Sequence, residues 1–354
     1  MSDVLSIPLF QPAYTGKEED YVRESFQKWN EHLHGSYFRT RCEGIIRESF
    51  LFQNFFLINS VRTAAELLIH PLITEPGKEI ILSGYASPML SDVILAAKGV
   101  PRYADVHPQT LNAEPEQIAA LINEQTVAVI ITHYAGITAR IPEIEKIASK
   151  KKVFLIEDCT LAFGSYYNST PLGSYGDAAL FSFDEYHCVT AGSGGGITFT
   201  NKALAKAFEK NLPQLKHQLL PSSAAAILFA QLEMKDKIMQ RRKQIWGKYY
   251  NEFLYLEHRL LVRLPSFPEE SSGNGQLFFL LCNSEGERVA LIKFLKGKNI
   301  EAASHYPLVK GAEELRGSRE ASKTVVLLPL NYDLNRTQHQ FIIQSVIEFY
   351  TSIQ

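Results

Sequence analysis

Between residues 55 and 156, short apolar runs alternate with helix-length segments, and that alternation admits few architectures. The runs at 55–58, 79–82, 101–105, 126–132 and 153–156 have strand length, and the segments 63–72, 88–98, 114–123 and 141–150 between them read as helices. Such alternation predicts an α/β fold: a large, mostly parallel sheet covered by helices on both faces. The runs VAVIIT and VFLIED, apolar throughout their centres, suit strands buried on both sides.

The flanks differ. Residues 7–14 are extended and proline-punctuated. Residues 17–29 place Tyr21, Val22, Phe26 and Trp29 near one helical face, and 43–53 reads as a second helix. After Asn201 a polar helix is expected at 202–211. A long helix follows at 222–255, of the kind that bridges two domains. Then come a strand at 276–282, a helix at 287–296, a strand at 302–305 and a last helix at 337–350. With 354 residues the chain is long for one core. The expected division is a large cofactor-type domain over 1–215, then the bridging helix with a smaller α+β domain over 216–354.

Residues 154–200 carry the chemistry. An apolar strand ends on Glu157-Asp158, and a second run, 178–183, leads into a polar turn at His187 and a glycine cluster, Gly192 and Gly194 to Gly196. A carboxylate at the carboxyl end of a buried strand stands where open α/β sheets place ligands. Glycines beside a strand end let backbone approach a ligand closely. The stretch therefore reads as the floor of a small-molecule site. A formal net charge of -2 gives no electrostatic case for nucleic acid or an anionic membrane as partner. Cys42, Cys159, Cys188 and Cys282 form no C-x-x-C pair, so neither zinc nor disulfides are implied. A metal site of His133, His187 and Cys159 is conceivable from side-chain types alone. Nothing at ligand spacing supports it, and no metal is expected. The amino terminus lacks the pattern of a signal peptide and no run is long enough to span a bilayer, so a cytoplasmic protein is expected.

The order and wording of these pieces resemble the sugar aminotransferases of the DegT/DnrJ/EryC1/StrS family. The matching segments are IPLFQP, LINSVRTAAELL, GVPRYADVHPQTLNAEPEQI, THYAG, LIEDCTLAFGS, PLGSYGDAALFSF and AQLEMKDKIMQRRKQI, in order along nearly the whole chain. The resemblance implies the fold of type I pyridoxal-phosphate (PLP) transferases and a nucleotide-linked keto-sugar as substrate. It also implies sites formed between subunits, hence a homodimer or a heterodimer with a family member. Asp158 corresponds to the carboxylate that pairs with the cofactor's pyridine nitrogen and makes the ring an electron sink. Ser182 corresponds to the serine that touches the cofactor phosphate. The helix start at Thr63, with Arg62, would offer that phosphate free N–H groups and a charge. His133 matches a family histidine near the site, and a purely structural role fits it as well. Ser87 aligns with the aromatic residue that stacks on the ring, and Tyr85 would take its place after a small loop shift.

Departures from the pattern fall on chemical positions. The cofactor-linking lysine is replaced by His187, which cannot form the covalent link. In the keto-sugar 3-dehydratase branch a histidine stands there too. It acts as base on a noncovalent pyridoxamine (PMP) form of the cofactor, a task suited to a pKa near neutrality. That branch follows with a second histidine and Gly-Glu-Gly-Gly, where this chain has Cys188 and Gly192-Ser193-Gly194-Gly195. The family's Ser-Gly-Thr is Val61-Arg62-Thr63, its ring-contacting glutamine is Leu161, and the Asn and Arg of a partner-reaching loop become His217 and Leu219. The segment between 305–307 and 327–329 is shorter than in family members. Three readings result: a PLP- or PMP-using keto-sugar dehydratase with His187 as base; a catalytically inactive structural or regulatory partner; and a pocket given over to another ligand.

Overall fold

In the computed structural model, residues 6–28 and 36–352 are described. Two helices open the chain, α1 (Glu18–Gln27) and α2 (Tyr37–Phe50). Trp29 of the expected first helix lies outside the described residues. Next come β1 (Phe56–Ile58), α3 (Val61–Ile69), β2 (Glu79–Ser83), α4 (Pro88–Ala96), β3 (Val100–Ala104), α5 (Pro115–Leu121), β4 (Thr126–Thr132), α6 (Ile141–Lys151) and β5 (Phe154–Asp158). Two short strands, β6 (Tyr166–Tyr167) and β7 (Thr170–Pro171), precede β8 (Ala178–Ser182) and β9 (Gly195–Phe199).

The main sheet has seven strands in the order β1-β9-β8-β5-β4-β2-β3. The run β8-β5-β4-β2-β3 is parallel, and β9 is antiparallel to both its neighbours. Helix α3 shows why these elements form where they do. Ser60 caps it, its hydroxyl accepting from the Thr63 N–H at 3.1 Å, and Ala64, Ala65, Leu68 and Ile69 give it a buried stripe on the sheet.

The remainder is α7 (Lys202–Asn211), the 37-residue α8 (Ser222–His258), β10 (Val262–Arg263), β11 (Ser271–Ser272), β12 (Phe278–Cys282), α9 (Glu285–Gly297), α10 (Arg316–Thr324), β13 (Val325–Leu328) and α11 (Arg336–Ser352). A small antiparallel sheet, β10-β12-β13, organises the C-terminal part. No strand forms at 302–305. Ala303 makes one isolated bridge to Leu327, and the chain then turns His305 and Tyr306 inward toward Tyr134. The sequence also gave no notice of α10 or β13.

Packing follows no single cut in the chain. Ile7 sits in the C-terminal core with Tyr249, Phe278 and Val346, while Ala225, Phe229 and Leu232 of α8 sit with Phe38 and Ile46 of α2. Among the described residues no helix is long and apolar enough to cross a membrane.

Candidate functional site

The carboxyl ends of β5 and β8 open onto a cavity of about 110 Å³. Asp158, Thr160, Leu161, Ser182, Asp184, His187 and Tyr306 line it, with Val61 of α3 and Ser87 and Met89 at the start of α4. Parallel strands explain the placement, since β5 and β8 run side by side and deliver Asp158 and Ser182 to the same edge.

Asp158 is buried and its carboxylate is satisfied from within. Oδ2 accepts from Thr132 Oγ1 at 2.8 Å, and Oδ1 accepts from the Thr160 N–H at 3.1 Å and from Thr160 Oγ1 at 2.6 Å. Ser182 Oγ donates to Asp184 Oδ2 at 3.1 Å, and Asp184 Oδ1 accepts from the Gly194 N–H at 3.2 Å.

His187 sits on a turn held from the C-terminal part. Gln276 accepts from the Cys188 N–H at 2.9 Å and donates to the Tyr186 carbonyl at 3.0 Å. Burial, and then the charge of Arg242, lower the His187 pKa to about 4. The ring is therefore neutral at pH 7, and its pKa lies well below the near-neutral value expected of a base. Arg242 is itself buried and donates to the carbonyls of Gly275 and Gln276, at 2.9 and 2.7 Å. His305 is lowered further, to about 3, by burial and by His187, and its Nδ1 lies 2.8 Å from the Tyr134 hydroxyl. The Tyr306 ring packs on His305, Tyr134 and Tyr85. Burial, then the Asp158 charge, push its hydroxyl pKa upward.

The structure thus brings Asp158, Ser182 and His187 to one cavity and leaves four expected residues outside its lining. Arg62 points away, half-exposed, 3.5 Å from Asp92. Thr63 is spent on the α3 cap. Tyr85 is buried behind Tyr306 while Ser87 faces the cavity. His133 is fully buried; its Nδ1 accepts from the Ala139 N–H at 3.1 Å, so Nε2 carries the proton and faces Glu157 at 3.2 Å. Glu157 in turn accepts from the N–H groups of Gly173, Tyr175 and Gly176. His133, Glu157 and Cys159 come close enough to suggest a metal, but these bonds already commit His133 and Glu157 to tying β4 and β5 to the 173–176 turn. The glycines also serve packing. A Cβ on Gly195 would stand 2.6 Å from the Ser60 carbonyl, and one on Gly196 2.5 Å from the Phe55 ring.

Sequence reading missed Asp184, Tyr306 and Gln276. Asp184 carried a signal, an acid two residues beyond a serine assigned to a phosphate. Tyr306 and Gln276 lie far along the chain, Gln276 90 residues from the Tyr186 it bonds, and carried none.

PLP or PMP, which the family resemblance implies, does not fit these residues as they stand. The anchoring lysine is absent, and Asp184 occupies the Ser182 hydroxyl assigned to the phosphate. The cavity also falls short of the ~300–1,000 Å³ usual for small-molecule sites.

The sequence model of the DegT/DnrJ/EryC1/StrS aminotransferase family matches residues 52–347. A protein named pleiotropic regulatory protein, from Geobacillus stearothermophilus, is 26% identical over 298 residues, covering 78% of this chain and 79% of its own. GDP-perosamine synthase of Escherichia coli O157:H7 is 25% identical over 368 residues, covering 98% and 99%. Spr1654 of Streptococcus pneumoniae, described as a sugar aminotransferase and solved in both PLP and PMP forms, shares the fold. Its PLP form superposes with a TM-score of 0.86 at 20% identity, covering 99% of this chain and all of its own.

Proposed function

The chain belongs to the DegT/DnrJ/EryC1/StrS aminotransferase family, and from that premise we propose that it is a non-transaminating member working in nucleotide-sugar metabolism. Its role there is that of a structural or regulatory partner to an active relative. The observation that carries the reading is the cavity. At about 110 Å³, walled by Leu161, Asp184 and Tyr306, it lacks both the lysine and the room for the family's cofactor. The name of the Geobacillus relative, a pleiotropic regulator, lends the regulatory role support.

One observation favours a second reading. Asp158 and a neutral His187 face the same cavity, the pair that PMP-dependent 3-dehydration of a 4-keto-sugar would use. Against it, a base with a pKa of about 4 is poorly matched to proton abstraction at neutral pH. The deciding assay incubates the purified chain with PMP and a nucleotide-linked 4-keto-sugar, and separately mixes it with an active family enzyme. The proposal expects no consumption of keto-sugar by the chain alone and a changed rate or stability of the active enzyme. PMP-dependent deoxygenation that His187→Asn abolishes would establish the second reading instead. An unaffected relative would remove the regulatory role.

A further inference from the structure

Groups that suit an anion converge where β8 and β9 meet α3: the Ser182 hydroxyl, the Gly194 N–H and the first turn of the helix. The approach is close, for a Cβ on Gly195 would also stand 2.9 Å from Val61 Cα. Backbone N–H groups beside a helix N-terminus make a ready anion cradle. Here the chain supplies its own anion. Asp184 takes the Ser182 hydroxyl on Oδ2 and the Gly194 N–H on Oδ1, and its own N–H returns to Ser182 Oγ at 3.3 Å. In the first turn of α3 the Thr63 N–H is likewise taken, by the Ser60 hydroxyl. None of the described residues lining the cavity is a lysine or arginine, so nothing there offsets a second negative charge.

We propose that Asp184 is a built-in occupant of this cradle, a specificity-determining side chain that excludes phosphate groups by standing in their place. An incoming phosphate would meet a carboxylate at hydrogen-bonding range, with the Ser182 hydroxyl and the Gly194 N–H already taken by it, and such like-charge juxtaposition is strongly disfavoured. The inference shares its cavity with the functional reading above but is tested apart from it. Turnover of keto-sugar by the natural chain would end that reading and leave the phosphate comparison to be decided separately.

The test follows thermal unfolding of the full chain, Asp184→Ala and Asp184→Asn against inorganic phosphate, with potassium chloride at matched ionic strength. A parallel series with PLP distinguishes a phosphate monoester from the free ion. A ligand bound to the native state raises its melting temperature by mass action. The natural chain should not respond. Both variants should be stabilised by phosphate, with an apparent affinity tighter by about tenfold or more, and adding Ser182→Ala should remove the gain. An equal response in the natural chain, or none in either variant, overturns the proposal. Should Asp184→Ala not fold, the near-isosteric Asp184→Asn decides alone.

Discussion

His187 is held neutral by burial and by the nearby guanidinium of Arg242, and that has a consequence for stability. Its folded pKa of about 4 lies below the unfolded value of about 6.5, so between these limits the unfolded chain binds more protons. Stability then falls as pH drops from about 6.5 toward 4, and His305 and His339, lowered to about 3 and about 4, act in the same direction. Glu43, raised to about 7 by burial, opposes them, since its native state holds the extra proton between about 4.5 and 7. The difference between chains isolates one residue. His187→Gln should flatten the pH dependence of urea unfolding between pH 4 and 6.5 by up to one proton, and an unchanged slope would contradict the burial argument. Residue roles were only partly legible in the sequence. Asp158, Ser182 and His187 announced themselves through position on a strand end or through the missing lysine. Type and local context do not fix direction: Arg62 reaches outward to Asp92, and His133, for which a structural role had been equally open, faces Glu157 inside the sheet.

Helix α8 holds the two halves together. Its first half buries Ala225, Leu228 and Phe229 against α2, and its second half buries Ile245, Tyr249 and Phe253 in the C-terminal core. Its length was readable because no proline interrupts the run after Ser222, and the single Gly247 is followed by further helix-compatible residues. Element order through α6 was equally legible, strand and helix lengths being set by hydrophobic period. What escaped were elements defined by partners far along the chain, β13 pairing with β12, and the 302–305 segment that leaves the sheet to place Tyr306. A proline at the solvent-facing Asp236, at the middle of α8, removes a backbone bond and clashes with the preceding turn. It should cost ~3 kcal/mol or more. Calorimetry should show one unfolding transition for the natural chain and a split one for Asp236→Pro. A single transition in both would mean that α8 does not couple the cores.

At the scale of the whole molecule, an aminotransferase fold surrounds a site whose donors and space the chain itself has taken up. The sheet, the bridging helix and the small C-terminal sheet form the framework, and four of the departures from the family, Val61, Ser87, Leu161 and His187, line the cavity at the strand ends. Cores and frameworks depend on many apolar residues, so they persist while single site residues change. For that reason the fold was readable from pattern, whereas the state of the site required geometry: Leu161, Asp184 and Tyr306 meet only in three dimensions. The proposed role rests on a cofactor site closed by Leu161, Asp184 and Tyr306. The direct measurement is a titration of the purified natural chain with PLP and with PMP, followed by absorbance and by thermal stability. The prediction is no spectral change beyond free cofactor and no stabilisation at concentrations that saturate an active family member. Saturable binding of either form, weakened by Asp158→Asn, would contradict it.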